Sequence, residues 1–172
     1  MQAGARPRGT RVAWCFRAET VPSCGTVWVG TTSASGAHLV INETSISSSG
    51  NYLAIARGTG TTGLTSTCTL TNSTLSTTSL SLGYANNVSG YLATSVLTLN
   101  DSTYNTTGIV QLAESTGSTG ILTLNGASIM TAGDTNVSRD SGSNGTLNVK
   151  GTSTYTSNNR LQVGSNAGST GN

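Results

Sequence analysis

Charged residues are scarce in this chain of 172 residues: Asp, Glu, Lys and Arg make up 8% of it, against about 25% in average soluble domains. Low charge alone suggests a membrane segment or disorder. However, no uninterrupted apolar run approaches the roughly 20 residues that a membrane-spanning helix needs, and the apolar residues are patterned, not dispersed. We therefore expect no membrane span in this chain.

Residues that usually carry catalysis or bind metals are also scarce. The chain has one histidine, His38, and six acidic residues, and only Asp134, Arg139 and Asp140 fall near one another. A solvated loop is the simpler interpretation of that group, and a single histidine supports neither a catalytic triad nor a zinc site. The sequence therefore predicts a protein that is not an enzyme, with no catalytic residue, cofactor or metal site.

The three cysteines form no C-x-x-C pair. Cys68 takes a position that leucine holds in equivalent segments, which predicts a small inward-facing hydrophobic residue. Cys15 and Cys24 lie in residues 1–25, and whether they form a disulfide stays open. That segment is rich in arginine and lacks the apolar stretch of a signal peptide, so we expect a non-repeat N-terminal segment. Because the rest of the chain is nearly neutral, no nucleic-acid partner is expected.

Serine and threonine, by contrast, fill about a third of the chain, beside 22 glycines and 2 prolines, as is typical of many short strands joined by turns. Two apolar patterns recur in phase every 25 to 30 residues or so. The first occurs at Val27–Gly30, Leu53–Ala56, Leu80–Gly83, Val110–Ala113, Leu161–Gly164 and, more weakly, Thr135–Ser138. The second occurs at Leu39–Asn42, Cys68–Thr71, Leu97–Asn100, Leu122–Asn125 and Leu147–Lys150.

Within each copy the apolar residues alternate, which predicts strands, and each copy is too short to bury its own apolar face. We therefore predict an all-β parallel solenoid of about five coils of 25–30 residues in residues 26–172, truncated in mid-coil. Two internal aliphatic ladders follow: Ile41, Leu70, Leu99, Leu124 and Val149, and Val29, Ile55, Leu82, Leu112, Val137 and Val163. A third, weaker series is Ile46, Leu75, Tyr104, Ile129 and Thr154.

Two further positions recur at the ends of strands. A small residue follows every copy of the first pattern, which predicts a bend that a larger side chain would crowd. These residues are Gly30, Ala56, Gly83, Ala113, Ser138 and Gly164. Asn42, Asn100 and Asn125 follow copies of the second pattern and are predicted to form an amide ladder.

The copies Gly120–Gly126 (GILTLNG) and Gly145–Gly151 (GTLNVKG) resemble the repeats of bacterial autotransporter-type passenger proteins and related surface proteins, over about residues 26–172. The resemblance implies a right-handed, pectin-lyase-like parallel β-helix at the bacterial cell surface. It implies a structural or adhesive role, as a stalk or passenger attached to the outer membrane. The expected partners are further coils of the same longer protein, with glycans or host surfaces bound through outward Thr, Asn and Tyr residues such as Tyr52, Tyr84 and Tyr91.

Two other functions stay open. The first is a fragment of a glycan-cleaving β-helical enzyme, whose site would lie in further coils that place acids beside Asp134 and Asp140. The second is an ice-binding solenoid, favoured by the outward residues Thr69, Thr98 and Thr123 but opposed by the irregular residues beside them. Residues 58–63 match the dinucleotide fingerprint G-x-G-x-x-G, but a strand follows them where phosphate binding requires a helix, so we interpret them as a loop.

Overall fold

The computed structural model describes residues 13–17, 26–30, 37–56, 65–84 and 94–172, and these contain β-strands and no helix. The first eight strands are β1 (Ala13–Arg17), β2 (Val27–Val29), β3 (His38–Asn42), β4 (Ser45–Ile55), β5 (Thr65–Thr71), β6 (Thr74–Leu82), β7 (Thr94–Asn100) and β8 (Thr103–Thr106). The other eight are β9 (Ile109–Leu112), β10 (Thr119–Asn125), β11 (Ile129–Ala132), β12 (Asp134–Val137), β13 (Asn144–Val149), β14 (Thr154–Ser157), β15 (Leu161–Val163) and β16 (Thr170–Gly171).

All the strand pairs are parallel, and they form two sheets. The first sheet has the order β1-β3-β5-β7-β10-β13-β16. The second has the order β14-β11-β8-β6-β9-β12-β15, and β4 joins it by pairing with β2 and β6. Each turn of the chain adds one strand to the first sheet and then crosses to the second. The predicted all-β parallel solenoid of about five turns is confirmed.

Equivalent aliphatic side chains stack between turns, as predicted. Leu70, Leu99 and Leu124 are consecutive partners in the first sheet and are fully buried. One continuous core contains the inner members of both predicted ladders. The C-terminal members differ, since Val149 is 45% exposed and Val163 is 53% exposed. They have the predicted register in the two ladders, but no later turn covers them in the described structure, so they are not buried.

The third series was wrong in its last two members. Tyr104 pairs with Met130, and Met130 with Tyr155, so these are the residues that face inward. Ile129 is 48% exposed. The turn after β10 is one residue longer than the turn after β7, and a shift of one residue moves a side chain to the opposite face of a strand.

The bend after the first pattern is confirmed by its backbone. All six predicted positions have φ between 54° and 76°, the left-handed region in which a Cβ is crowded. Glycine takes this conformation freely and alanine only at a cost. The sequence preference for small residues there therefore has a direct conformational cause.

A chain of buried hydroxyl groups lies at the corner between the two sheets. The backbone N–H of Thr44 donates to Ser73 Oγ at 3.2 Å, and that of Ser73 donates to Ser102 Oγ at 3.1 Å. In the same way, the N–H of Ser102 donates to Ser128 Oγ and the N–H of Ser128 donates to Ser153 Oγ, both at 3.2 Å. The hydroxyls of the first four also donate to a carbonyl two or three residues earlier. The corner is therefore polar but internally satisfied.

The N-terminal segment contributes one strand to the first sheet. Strand β1 lies within residues 1–25 and pairs in register with β3, from Ala13 opposite His38 to Arg17 opposite Asn42. The position of the domain boundary stays a prediction. Cys15 is opposite Val40, whereas Cys24 lies outside the described residues, so the question of their pairing does too.

Candidate functional site

A groove of about 260 Å³ crosses the outward face of the second sheet. We call it the tyrosine groove. Its lining residues come from β4, β6, β9 and the two bends that follow β6 and β9: Tyr52, Ala54, Ser79, Leu80, Ser81, Tyr84, Ile109, Gln111 and Glu114. Parallel pairing sets its floor, because Ala54, Ser81 and Gln111 are successive outward partners on adjacent strands. The groove is thus a product of stacked turns and spans three of them.

A nearly buried carboxylate, Glu114, stands at one side of the groove. Glu114 follows the left-handed residue Ala113 and is 9% exposed. The hydroxyl of Ser81 donates to Glu114 Oε2, and Arg139 Nη1, from the next turn, donates to Glu114 Oε1 at 3.2 Å. The charge of Glu114 is therefore paired, as a buried carboxylate requires.

The same arginine fixes a neutral side chain of the groove. Arg139 Nη1 also lies 3.2 Å from Gln111 Oε1, and Arg139 Nε lies 3.6 Å from Asp140 Oδ1. Because the carbonyl oxygen of Gln111 accepts from Arg139, its amide nitrogen is the end that remains to donate elsewhere. Arg139 therefore links two successive turns and orients a polar group at the groove floor.

One polar atom close to this network has no partner. Asn136 is the next residue after Gln111 in the outward series of the second sheet. It is 7% exposed, and its Oδ1 forms no hydrogen bond.

The predicted acidic group is only partly brought together. Arg139 contacts Asp140, but its closer partner is Glu114 of the preceding turn. Sequence reasoning missed Glu114 because the two residues lie 25 positions apart. Their spacing could have indicated the pair, since 25 residues is the length of one of the later turns.

The remaining candidates are not among the described residues that line the tyrosine groove. His38 Nδ1 lies 2.6 Å from Thr67 Oγ1, and no group of three His, Cys, Asp or Glu side chains able to hold a metal occurs in the described part of the chain. Cys68 is a buried free thiol, and burial raises its pKa to about 12, which suits the predicted hydrophobic role. The loop at residues 58–63 and Tyr91 lie outside the described residues.

The outward residues of the first sheet follow the sequence pattern. Thr69, Thr98 and Thr123 are aligned, and Asn148 comes next. Asn125 Nδ2 donates to Asn100 Oδ1 at 3.0 Å, which forms part of the predicted amide ladder. Thr71 separates this pair from Asn42.

Among the described residues, no helix is sufficiently long and apolar to cross a membrane. No protein-family model matches this chain, and no curated protein or solved structure is significantly similar to it.

Proposed function

We propose that this chain is a structural or adhesive repeat segment of a bacterial surface protein, acting outside the cell as a stalk or passenger region. The observation that carries the proposal is the continuous core that extends from Val29 to Val137 through the described turns. Such stacking makes an elongated scaffold whose length depends on the number of turns. Its outward faces carry short polar side chains, and the tyrosine groove is large enough for a small ligand.

The proposal also includes further coils as partners. The last described turn exposes Val149, Leu161 and Val163, and Leu161 is 54% exposed. Equivalent positions in inner turns, such as Leu124 and Val137, are covered by the next turn and fully or almost fully buried. A further turn with the same apolar pattern fits this face, because its strands have the same spacing and direction as the strands that they would pair with.

Catalysis is not part of the proposal. Glycoside hydrolysis needs two carboxyl groups on opposite sides of the cleaved bond, and Glu114 is the single carboxylate among the described residues that line the tyrosine groove. Its charge is already paired with Arg139. This arrangement suits binding better than acid-base chemistry.

The experiment is an adhesion assay with the full chain. Polystyrene beads coated with the protein should be retained on glycan-bearing epithelial layers under flow, more strongly than albumin-coated beads. Equal retention of the two bead types would refute the adhesive role. In parallel, the soluble chain is incubated with acidic and neutral polysaccharides, and release of new reducing ends would overturn the non-enzymatic assignment.

A further inference from the structure

We infer that the tyrosine groove is a binding site for an uncharged saccharide, held by Ser81, Gln111 and the rings of Tyr52 and Tyr84. This inference deepens the adhesive role and rests on that proposed function. The groove has four properties that select such a ligand: its size, its charge balance, the order of its polar groups and its apolar surface.

The size restricts the ligand to about one sugar ring. Pockets for drug-sized ligands usually measure about 300 to 1,000 Å³, and this groove is slightly smaller, at about 260 Å³. Its position on the open face of a sheet leaves the rest of a longer glycan in solvent. A terminal or branching residue of a glycan is therefore the expected occupant.

The charges favour a neutral ligand. Glu114 is the charged residue of the lining, and Arg139 balances it at 3.2 Å. An acidic sugar or a phosphate brought into the groove would meet the Glu114 carboxylate, whereas the guanidinium is already engaged by three side chains. Like charges this close oppose binding.

The polar groups of the floor form a donor beside an acceptor. Ser81 gives its proton to Glu114, so its oxygen offers lone pairs to the groove. Gln111 offers its amide N–H groups, because Arg139 occupies its oxygen. The two residues are partners on adjacent parallel strands, which lie about 4.8 Å apart. This spacing suits two neighbouring hydroxyls of a sugar, one donating to Ser81 and the other accepting from Gln111.

Apolar surface completes the site. Tyr52 and Tyr84 are half-buried at the groove, and Ile109 contributes aliphatic surface. A sugar ring has an apolar face formed by its C–H groups, and the flat face of an aromatic ring is a rigid surface for it to pack against. A pyranose combines polar edges with such an apolar face and therefore matches the polar and apolar parts of the groove.

The test is ligand-observed saturation-transfer NMR on the full chain. The probes are methyl α-glucoside, methyl β-galactoside, methyl α-mannoside and N-acetylglucosamine, with glucuronate as the acidic comparison. We expect at least one neutral sugar to bind with millimolar affinity, and glucuronate to bind at least about tenfold more weakly. Binding of none of the neutral sugars, or equal binding of glucuronate, would overturn the inference.

Three variants locate the site. Tyr84→Ala removes apolar surface, and Gln111→Glu replaces the donor by an acceptor of the same shape while keeping the contact with Arg139. Each should weaken binding about tenfold, with thermal unfolding by circular dichroism checking that the fold persists. The control Thr98→Ala, on the outward face of the first sheet, should bind like the parent chain.

The outcomes separate this inference from the proposed function. Unchanged sugar binding by the folded Tyr84→Ala and Gln111→Glu chains would place the saccharide elsewhere and overturn the groove assignment. Bead adhesion without sugar binding would remove the groove inference and leave the adhesive role in place. Sugar binding without bead adhesion would remove the adhesive role and leave the groove inference in place.

Discussion

Replacing Leu99 by alanine tests the stacking of like side chains most directly. Leu99 is fully buried between Leu70 and Leu124, its partners on the adjacent turns. Removing three carbons from such a site costs about 2 to 5 kcal/mol, because a cavity remains where the side chain was. In a chain of this size 1 kcal/mol shifts the unfolding midpoint by about 2 to 4 °C. We therefore expect a fall of about 4 to 20 °C.

Two matched variants separate stacking from general sensitivity to mutation. Thr98→Ala changes the adjacent residue, whose side chain lies on the outward face of the same strand. Leu161→Ala makes the same chemical change as Leu99→Ala at a residue that is 54% exposed. Both should cost less than about 1 kcal/mol, since surface substitutions usually have small effects.

The measurement is far-UV circular dichroism during thermal and urea unfolding of the full chain. Stacked turns can unfold in more than one step, so the midpoint of each transition is compared between variants. If Leu99→Ala costs no more than Thr98→Ala, the assignment of inward and outward faces is wrong. If Leu161→Ala costs as much as Leu99→Ala, the C-terminal face is covered in solution.

Four further variants test three other features. Arg139→Ala removes the cation beside the nearly buried carboxylate of Glu114 and should lower the free energy of unfolding by about 1 to 3 kcal/mol. Asp140→Ala removes a more exposed partner of Arg139 and should cost less than about 1 kcal/mol. Equal losses in urea titrations would contradict the pairing of Arg139 with Glu114. Ser102→Ala removes the acceptor of the Ser73 N–H and should cost about 1 to 3 kcal/mol, so an unchanged midpoint would contradict the hydroxyl chain. Burial raises the pKa of Cys68 from 9.0 to about 12, so the thiol loses its proton at lower pH in the unfolded chain than in the folded one. The free energy of unfolding of the parent chain should therefore fall by up to about 1.4 kcal/mol per pH unit between those values. In urea titrations at pH 8 and 11 this fall should be smaller for Cys68→Ala, and an equal fall would contradict the burial of the thiol.

The spacing of apolar residues was enough to predict the strands and their stacking partners. Leu97 and Leu99 alternate with threonine, and equivalent residues recur roughly every 25 to 30 residues, so both the face and the partner of each follow from counting along the pattern. The same counting failed at Ile129 because the turn before it gained one residue. A short apolar pattern does not indicate how many residues the neighbouring turn contains.

The tyrosine groove could be predicted only in part. Tyr52 and Tyr84 were expected on an outward surface, and both line the groove. Its polar network was missed because Glu114 and Arg139 belong to different turns and neither is part of an apolar pattern. A search for charged residues separated by one turn length would have found that pair.

The chain of hydroxyl groups at the corner gives the solenoid a chemical polarity. From Thr44 to Ser128 the amide of each turn requires an oxygen that the following turn supplies, and the series ends at Ser153, whose amide bonds to Lys150 within its own turn at 3.3 Å. During synthesis, each of the four corner amides from Thr44 to Ser128 therefore emerges from the ribosome before its acceptor does. Each of these corners consequently gains its side-chain acceptor only after the next turn of the chain has been made. The N-terminal and C-terminal ends of the solenoid are therefore chemically different.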